Sequence, residues 1–127
     1  MLPEHHERSI VVGDLNFAPL ECDVWNHQAL LKIVSHTPIE CEKLLAAQRA
    51  GNWIDTARAL VREPQKLFTW WSYRSPEWQV ADKGRRLDHI WITSALGDRL
   101  CRISVARDAR GWVRPSDHVP VTATLAL

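Results

Sequence analysis

From Val119 to Leu127 apolar and polar positions alternate: Val119, Val121, Ala123, Leu125 and Leu127 fall on one side, Pro120, Thr122 and Thr124 on the other. Successive strand side chains point to opposite faces, so this segment is predicted as a strand with one face on a core. "LFTWWSYR", "HIWITS" and "CRISVAR" read as further strands, separated by polar, turn-rich stretches. Ahead of them, "SIVVG" reads as a short buried strand closed by glycine. Helices come between. The apolar spacing of Val24, Leu30, Leu31 and Val34 predicts one helix over Asp23 to Val34. "TPIE" predicts another, with Thr37 as N-cap, Pro38 in the first turn and Glu40 closing a capping box, running to Ala50 and ending at Gly51. The expected class is α+β: one mainly antiparallel sheet of about five strands with helices on one face.

A chain of 127 residues is one domain. Sixteen basic and fifteen acidic residues leave a net charge of +1, so any phosphate recognition must come from a local site rather than from a basic surface. No apolar run approaches a membrane span, and "MLPEHHER" lacks the apolar core of a signal peptide. Cys22, Cys41 and Cys101 are scattered, without a CxxC pair, and read as reduced thiols. The expected location is the cytoplasm. His5 and His6 read as a solvated tail.

Polar clusters stand at the strand ends. Asp14 and Asn16 follow the first strand two residues apart, so their side chains project together. A carboxylate and an amide so placed suit a hard metal ion and a phosphate oxygen; on the tetrapeptide alone, an Asx-type turn is the commoner outcome. "RLDHIW" and "PSDHVPV" each set an Asp-His step where a polar loop meets an apolar strand. Adjacent residues face opposite sides, so neither step is a pair in itself, but Asp88 can accept from the ring of His118 if the two strands are neighbours. His89 reads as an interior histidine, and Trp71 and Trp91 as core. Nucleotide-cradling glycine loops, a GxSxG elbow and an HExxH helix are absent from the sequence.

"GDLNFAP", then "FTWWSYR" with "GRRLDHIW", then "RPSDHVPV", in this order across Ser9 to Leu125, resemble the C-terminal half of exonuclease III-type DNA repair enzymes of the endonuclease/exonuclease/phosphatase superfamily. The resemblance implies a four-layer α/β/β/α sandwich of which residues 1–127 form the C-terminal half. It implies a hydrolase that uses Mg²⁺, with Mn²⁺ as alternative, to cut double-stranded DNA at abasic sites or remove nucleotides from 3′ ends. Asp14 then resembles the carboxylate that activates water, Asn16 the amide that orients it, Asp88 the support of the histidine, and Asp117 a metal carboxylate. His118 resembles the histidine that contacts the phosphate, and Trp70 the aromatic wall of the sugar pocket. Arg74 and Arg86 are candidates for phosphate contacts. Arg85 departs from the apolar residue many relatives carry.

The first half of that fold brings a metal-binding glutamate in a Gln-Glu step. This sequence holds no such step, and Glu4 and Glu7 lie too close to the first strand to replace it. Weak Mg²⁺ binding and a bare apolar sheet face are therefore expected. The competing reading is a non-catalytic half-domain that dimerises or pairs with a separate N-terminal half.

Overall fold

The apolar stretches read above as strands form β1 (Ile10–Asp14), β3 (Asp88–Ile92), β4 (Leu100–Val105) and β5 (Val121–Leu125), with a two-residue β2 (Ile54–Asp55) between β1 and β3. The helices are α1 (His27–Leu30), α2 (Pro38–Ala50), α3 (Thr56–Leu60) and α4 (Trp78–Ala81). These come from a computed structural model in which residues 7–127 are described. His5, His6 and Glu4 lie outside the described residues.

All strand pairings are antiparallel, and the class is α+β as expected. β3 is the middle strand of the order β1-β3-β2, and β4 pairs with β5. The segment around Trp70 joins the two ladders. Trp70 bridges Arg85 on one side and His118 on the other. Thr69 and Trp70 both donate to the Arg85 carbonyl at 2.9 and 3.0 Å, while Val119 N–H donates to the Thr69 carbonyl at 2.9 Å. This segment is shorter than the strand predicted over "LFTWWSYR". Its end is set by buried Arg110, whose guanidinium donates to the carbonyls of Trp71 and Ser72 at 2.9 and 3.1 Å and so takes acceptors that a longer ladder would use. The stitch matters for function, because it brings the start of β3 beside the approach to β5.

The register divides the two faces of β1 and β3. Val11 opposes Trp91, and Gly13 opposes His89. On this face Trp91 packs with Leu44 of α2 and with Trp53, with Val11, Leu15 and Phe17 against them. Trp91 is 1% exposed and Trp71 is 2% exposed, so both are core as expected. Neighbouring Ile92 is fully buried, which contributes about 1.5–3 kcal/mol. The other face carries Val12, Asp14, Asp88 and Ile90. Here Val12 is 66% exposed, and Val12, Ile90, Val119 and Val121 line an open depression of about 370 Å³.

α2 starts and stops where its sequence predicts. The Thr37 hydroxyl donates to Glu40 Oε1 at 2.7 Å, and the same carboxylate receives the Ser35 N–H at 2.9 Å. Gly51 ends the helix with its N–H on the Ala47 carbonyl; a Cβ there would run into the Trp53 indole. The helix expected over Asp23 to Val34 is reduced to a 3₁₀ turn, Glu21–Asp23, and the single turn of α1. Val24 is taken into a bridge with Arg85, and the Asn26 side chain caps the Ala29 N–H at 3.1 Å. Fully buried Asp23 receives Arg86 at 2.7 and 3.0 Å and Arg58 at 2.6 Å. Local helix spacing loses to these long-range bonds.

Candidate active site

Asp14 ends β1 and opposes Asp88 at the start of β3. Two carboxylates directly across a ladder repel, and a cation between them removes the conflict. The His118 ring lies between them. Its Nδ1 donates to Asp88 at 2.9 and 3.1 Å, and its Nε2 lies 3.5 Å from Asp14 Oδ2. Burial alone would lower the pKa of His118; the hydrogen bond and charge of Asp88, with Asp14 and Asp117, outweigh it and raise the value above that of an ordinary histidine. One ligand atom from each of Asp14, Asp88 and His118 lies within 4.8 Å of the others.

The local backbone explains each placement. Gly13 has φ +151°, which glycine adopts freely. Asn16 has φ +57°, and its N–H donates to Asp14 Oδ1 at 2.9 Å. This is the Asx turn that the tetrapeptide allows, and it leaves Asp14 Oδ2 facing His118. The turn and the site coexist. Asp88 is clamped from below by buried Thr69, whose hydroxyl donates to Asp88 Oδ2 at 2.7 Å and accepts the N–H groups of Leu87 and Asp88 at 3.0 and 3.2 Å. The Ser116 hydroxyl accepts the His118 N–H at 3.1 Å and tightens the turn before β5.

Asp117 lies outside the three-residue cluster; its Oδ2 accepts the Trp70 indole N–H at 3.0 Å. Trp70 therefore links Asp117 to a groove of about 530 Å³ that Arg74 also lines. Arg86 is a correction. It is 0% exposed and its guanidinium is committed to Asp23 and Asp55, at 2.7–3.0 Å, so it cannot meet a phosphate. Burial pulls its pKa down, but the two carboxylates overcome this and hold it above the usual arginine range. His89 is interior as expected, 3% exposed with Nε2 2.7 Å from the Phe17 carbonyl. Burial, then Arg86, lowers its pKa. Thr69 was not foreseen, since no residue type or spacing marks a threonine that will meet Asp88 across a bridge.

Comparisons with known proteins point to one family. Residues 1–118 match the Endonuclease/Exonuclease/phosphatase family. The chain is 29% identical over 133 residues to exodeoxyribonuclease III of Haemophilus influenzae, covering 96% of this chain and 48% of that protein. It is 33% identical over 118 residues to DNA repair nuclease APEX1 of Danio rerio, covering 93% of this chain and 36% of that protein. The solved structure of the 3′ phosphatase NExo from Neisseria, bound to product DNA hairpin, superposes with a TM-score of 0.88 at 28% identity, over 96% of this chain and 46% of that one. The chain thus spans about half or less of the length of these relatives. A strand-end aspartate, its cross-strand partner and the histidine between them lie in the matched region, and the chain belongs to the endonuclease/exonuclease/phosphatase family.

Proposed function

We propose that this chain carries part of the active site of a DNA phosphodiesterase of exonuclease III type, acting at abasic sites and 3′ ends in DNA repair. The observation that carries the reading is the His118 imidazole held between Asp14 and Asp88. Phosphodiester hydrolysis needs a water stripped of its proton and donors aimed at the charge that grows on the phosphate oxygens. Asp14, exposed at the strand end, takes the proton of the attacking water, and Asn16 orients that water and the scissile phosphate. His118, whose neighbours Asp88 and Asp14 favour its protonated form, donates from Nε2 in that form to a non-bridging oxygen. Asp88 and Thr69 position the ring. Trp70 walls the sugar pocket and exposed Arg74 contacts the phosphate backbone.

The donor set fits Mg²⁺. Carboxylate oxygens are its preferred protein ligands, and it commonly binds through one or two of them while keeping several waters. Asp14, with waters, and Asp117, which lies outside the cluster of Asp14, Asp88 and His118, are the carboxylates that would hold it. When bound, the ion supplies a Lewis acid for the leaving oxygen. Free Cys22, Cys41 and Cys101 support a reducing compartment, the cytoplasm. Among the described residues no helix is long and apolar enough to cross a membrane.

Incision of a duplex carrying one abasic-site analogue, with Mg²⁺ and with EDTA, tests the reading. Metal-dependent incision that is lost in Asp117→Ala and His118→Ala is expected. A folded sample that binds DNA without cutting it would favour the non-catalytic half-domain instead.

A further inference from the structure

Arg85 and Arg86 are neighbours in the chain with opposite surroundings. Arg86 meets two carboxylates. Arg85 is partly buried and pairs with no carboxylate among the described residues. Its Nε is buried without a hydrogen-bond partner, and its Nη1 reaches the Ser35 hydroxyl only at 3.4 Å. Its guanidinium carbon lies 5.0 Å from the centroid of the Trp70 ring. Burial without a countercharge lowers its pKa from the ordinary arginine value. A desolvated cation in this state is costly unless an anion completes it.

Arg85 lines the groove of about 530 Å³ together with Trp25, Trp70, Ser72, Arg74 and Lys83. Lys83 Nζ stands 4.9 Å from the centroid of the Trp25 ring. Three cations and two indoles thus share one concavity, and no acidic side chain is among its lining residues. The Trp70 indole that forms one wall also donates to Asp117, next to His118, so the groove adjoins the catalytic cluster.

We propose that this groove is a subsite for a phosphate of the DNA strand other than the scissile one, with Arg85 receiving that phosphate and Lys83 assisting. The indoles of Trp25 and Trp70 give the attached sugar an apolar wall. The inference rests on the DNA reading above and deepens it by assigning a positioning role to Arg85. Such a contact holds the strand in register and leaves the chemistry to the cluster around His118.

Binding of a fluorescently labelled duplex with an unpaired 3′ tail, followed by anisotropy in EDTA over a series of salt concentrations, tests this. Arg85→Gln should weaken binding about tenfold, as expected for one charge-assisted hydrogen bond. It should also flatten the dependence of log K on log salt by roughly 0.7–0.9, the amount for one phosphate contact. Lys83→Gln, at an exposed position, should flatten the slope in the same direction. Arg102→Gln, an exposed arginine on β4 outside the groove, should leave affinity and slope unchanged apart from a small general loss. Far-UV circular dichroism checks that Arg85→Gln is folded; if it is not, the Lys83→Gln slope decides. Slopes of both groove variants equal to that of Arg102→Gln would overturn the subsite while leaving the DNA reading intact. A parent chain that fails to bind DNA at low salt would overturn both.

Discussion

Asp14 and Asp88 are register partners across β1 and β3, and His118 lies between them at 3.5 Å from one and 2.9 Å from the other. The site is built on this relationship. Two carboxylates at one end of a ladder make a field that favours a protonated imidazole, and a protonated imidazole in turn eases the repulsion between them.

Replacing Asp88 by Asn removes the main group holding the His118 proton. Burial, which acts in the opposite direction, is then less opposed. The His118 pKa in metal-free protein is expected to fall, as read from the ring-proton chemical shifts in an NMR titration. Turnover should fall by about 10²-fold or more, the usual share of a positioned proton donor. An unchanged titration would show that Asp88 does not set the charge of the ring.

Thr69→Val keeps the shape of the side chain and deletes the hydroxyl. The Leu87 and Asp88 N–H groups lose their acceptor, and Asp88 loses a donor. A stability loss of about 1–3 kcal/mol is expected from the unsatisfied buried groups, measured by urea unfolding. Thr69→Ser should recover most of it. Activity should follow the same order, because Asp88 is no longer held against His118.

Asp23→Asn tests the buried network. Arg86 would keep Asp55 but lose its fully buried partner, and Arg58 would lose its carboxylate. Removing one member of such a set leaves buried charge uncompensated, which costs about 3–5 kcal/mol. The unfolding midpoint in urea should drop accordingly. A shift below about 1 kcal/mol would mean that Asp55 alone satisfies Arg86.

The same residue predicts an acid limit. Burial pulls the pKa of Asp23 up, but Arg86 and Arg58 outweigh it and hold the folded value below that of a free carboxyl. A depressed folded pKa gives stability that is fully present above the unfolded value, about 3.9, and is lost as pH falls toward and through the folded value. The parent chain should therefore lose stability steeply below pH of about 4, while Asp23→Asn should show a shallower loss over the same window. Unfolding curves recorded at stepped pH values compare the two slopes.

Several elements were legible locally. The alternation from Val119 marked β5, the Thr37-Pro38-Glu40 box and Gly51 marked both ends of α2, and "GDLN" marked the end of β1. The ends of α2 rest on bonds between residues a few positions apart and the strands on a period of two, so a short window contains each signal. The helix expected from Asp23 failed because its outcome depends on Arg86, sixty-three positions away. The strand expected around Trp70 shrank because Arg110, thirty-nine positions from Trp71, takes the next carbonyl.

The site divides in the same way. By itself the sequence marked Asp14 and Asp88 at the ends of strands, with Asn16 and His118 in the segments beside them, since residue type and period carry that information. Which of them meet was decided only by the tertiary structure, through the β1–β3 register and the Trp70 bridges. It also separated two adjacent arginines that look alike in the chain. Arg86 is closed off by Asp23 and Asp55, while Arg85 is left beside Trp70 with no carboxylate partner among the described residues. The physical reason is desolvation: burial makes a charge depend on whichever partners the fold brings within about 3 Å, and those partners are remote in sequence.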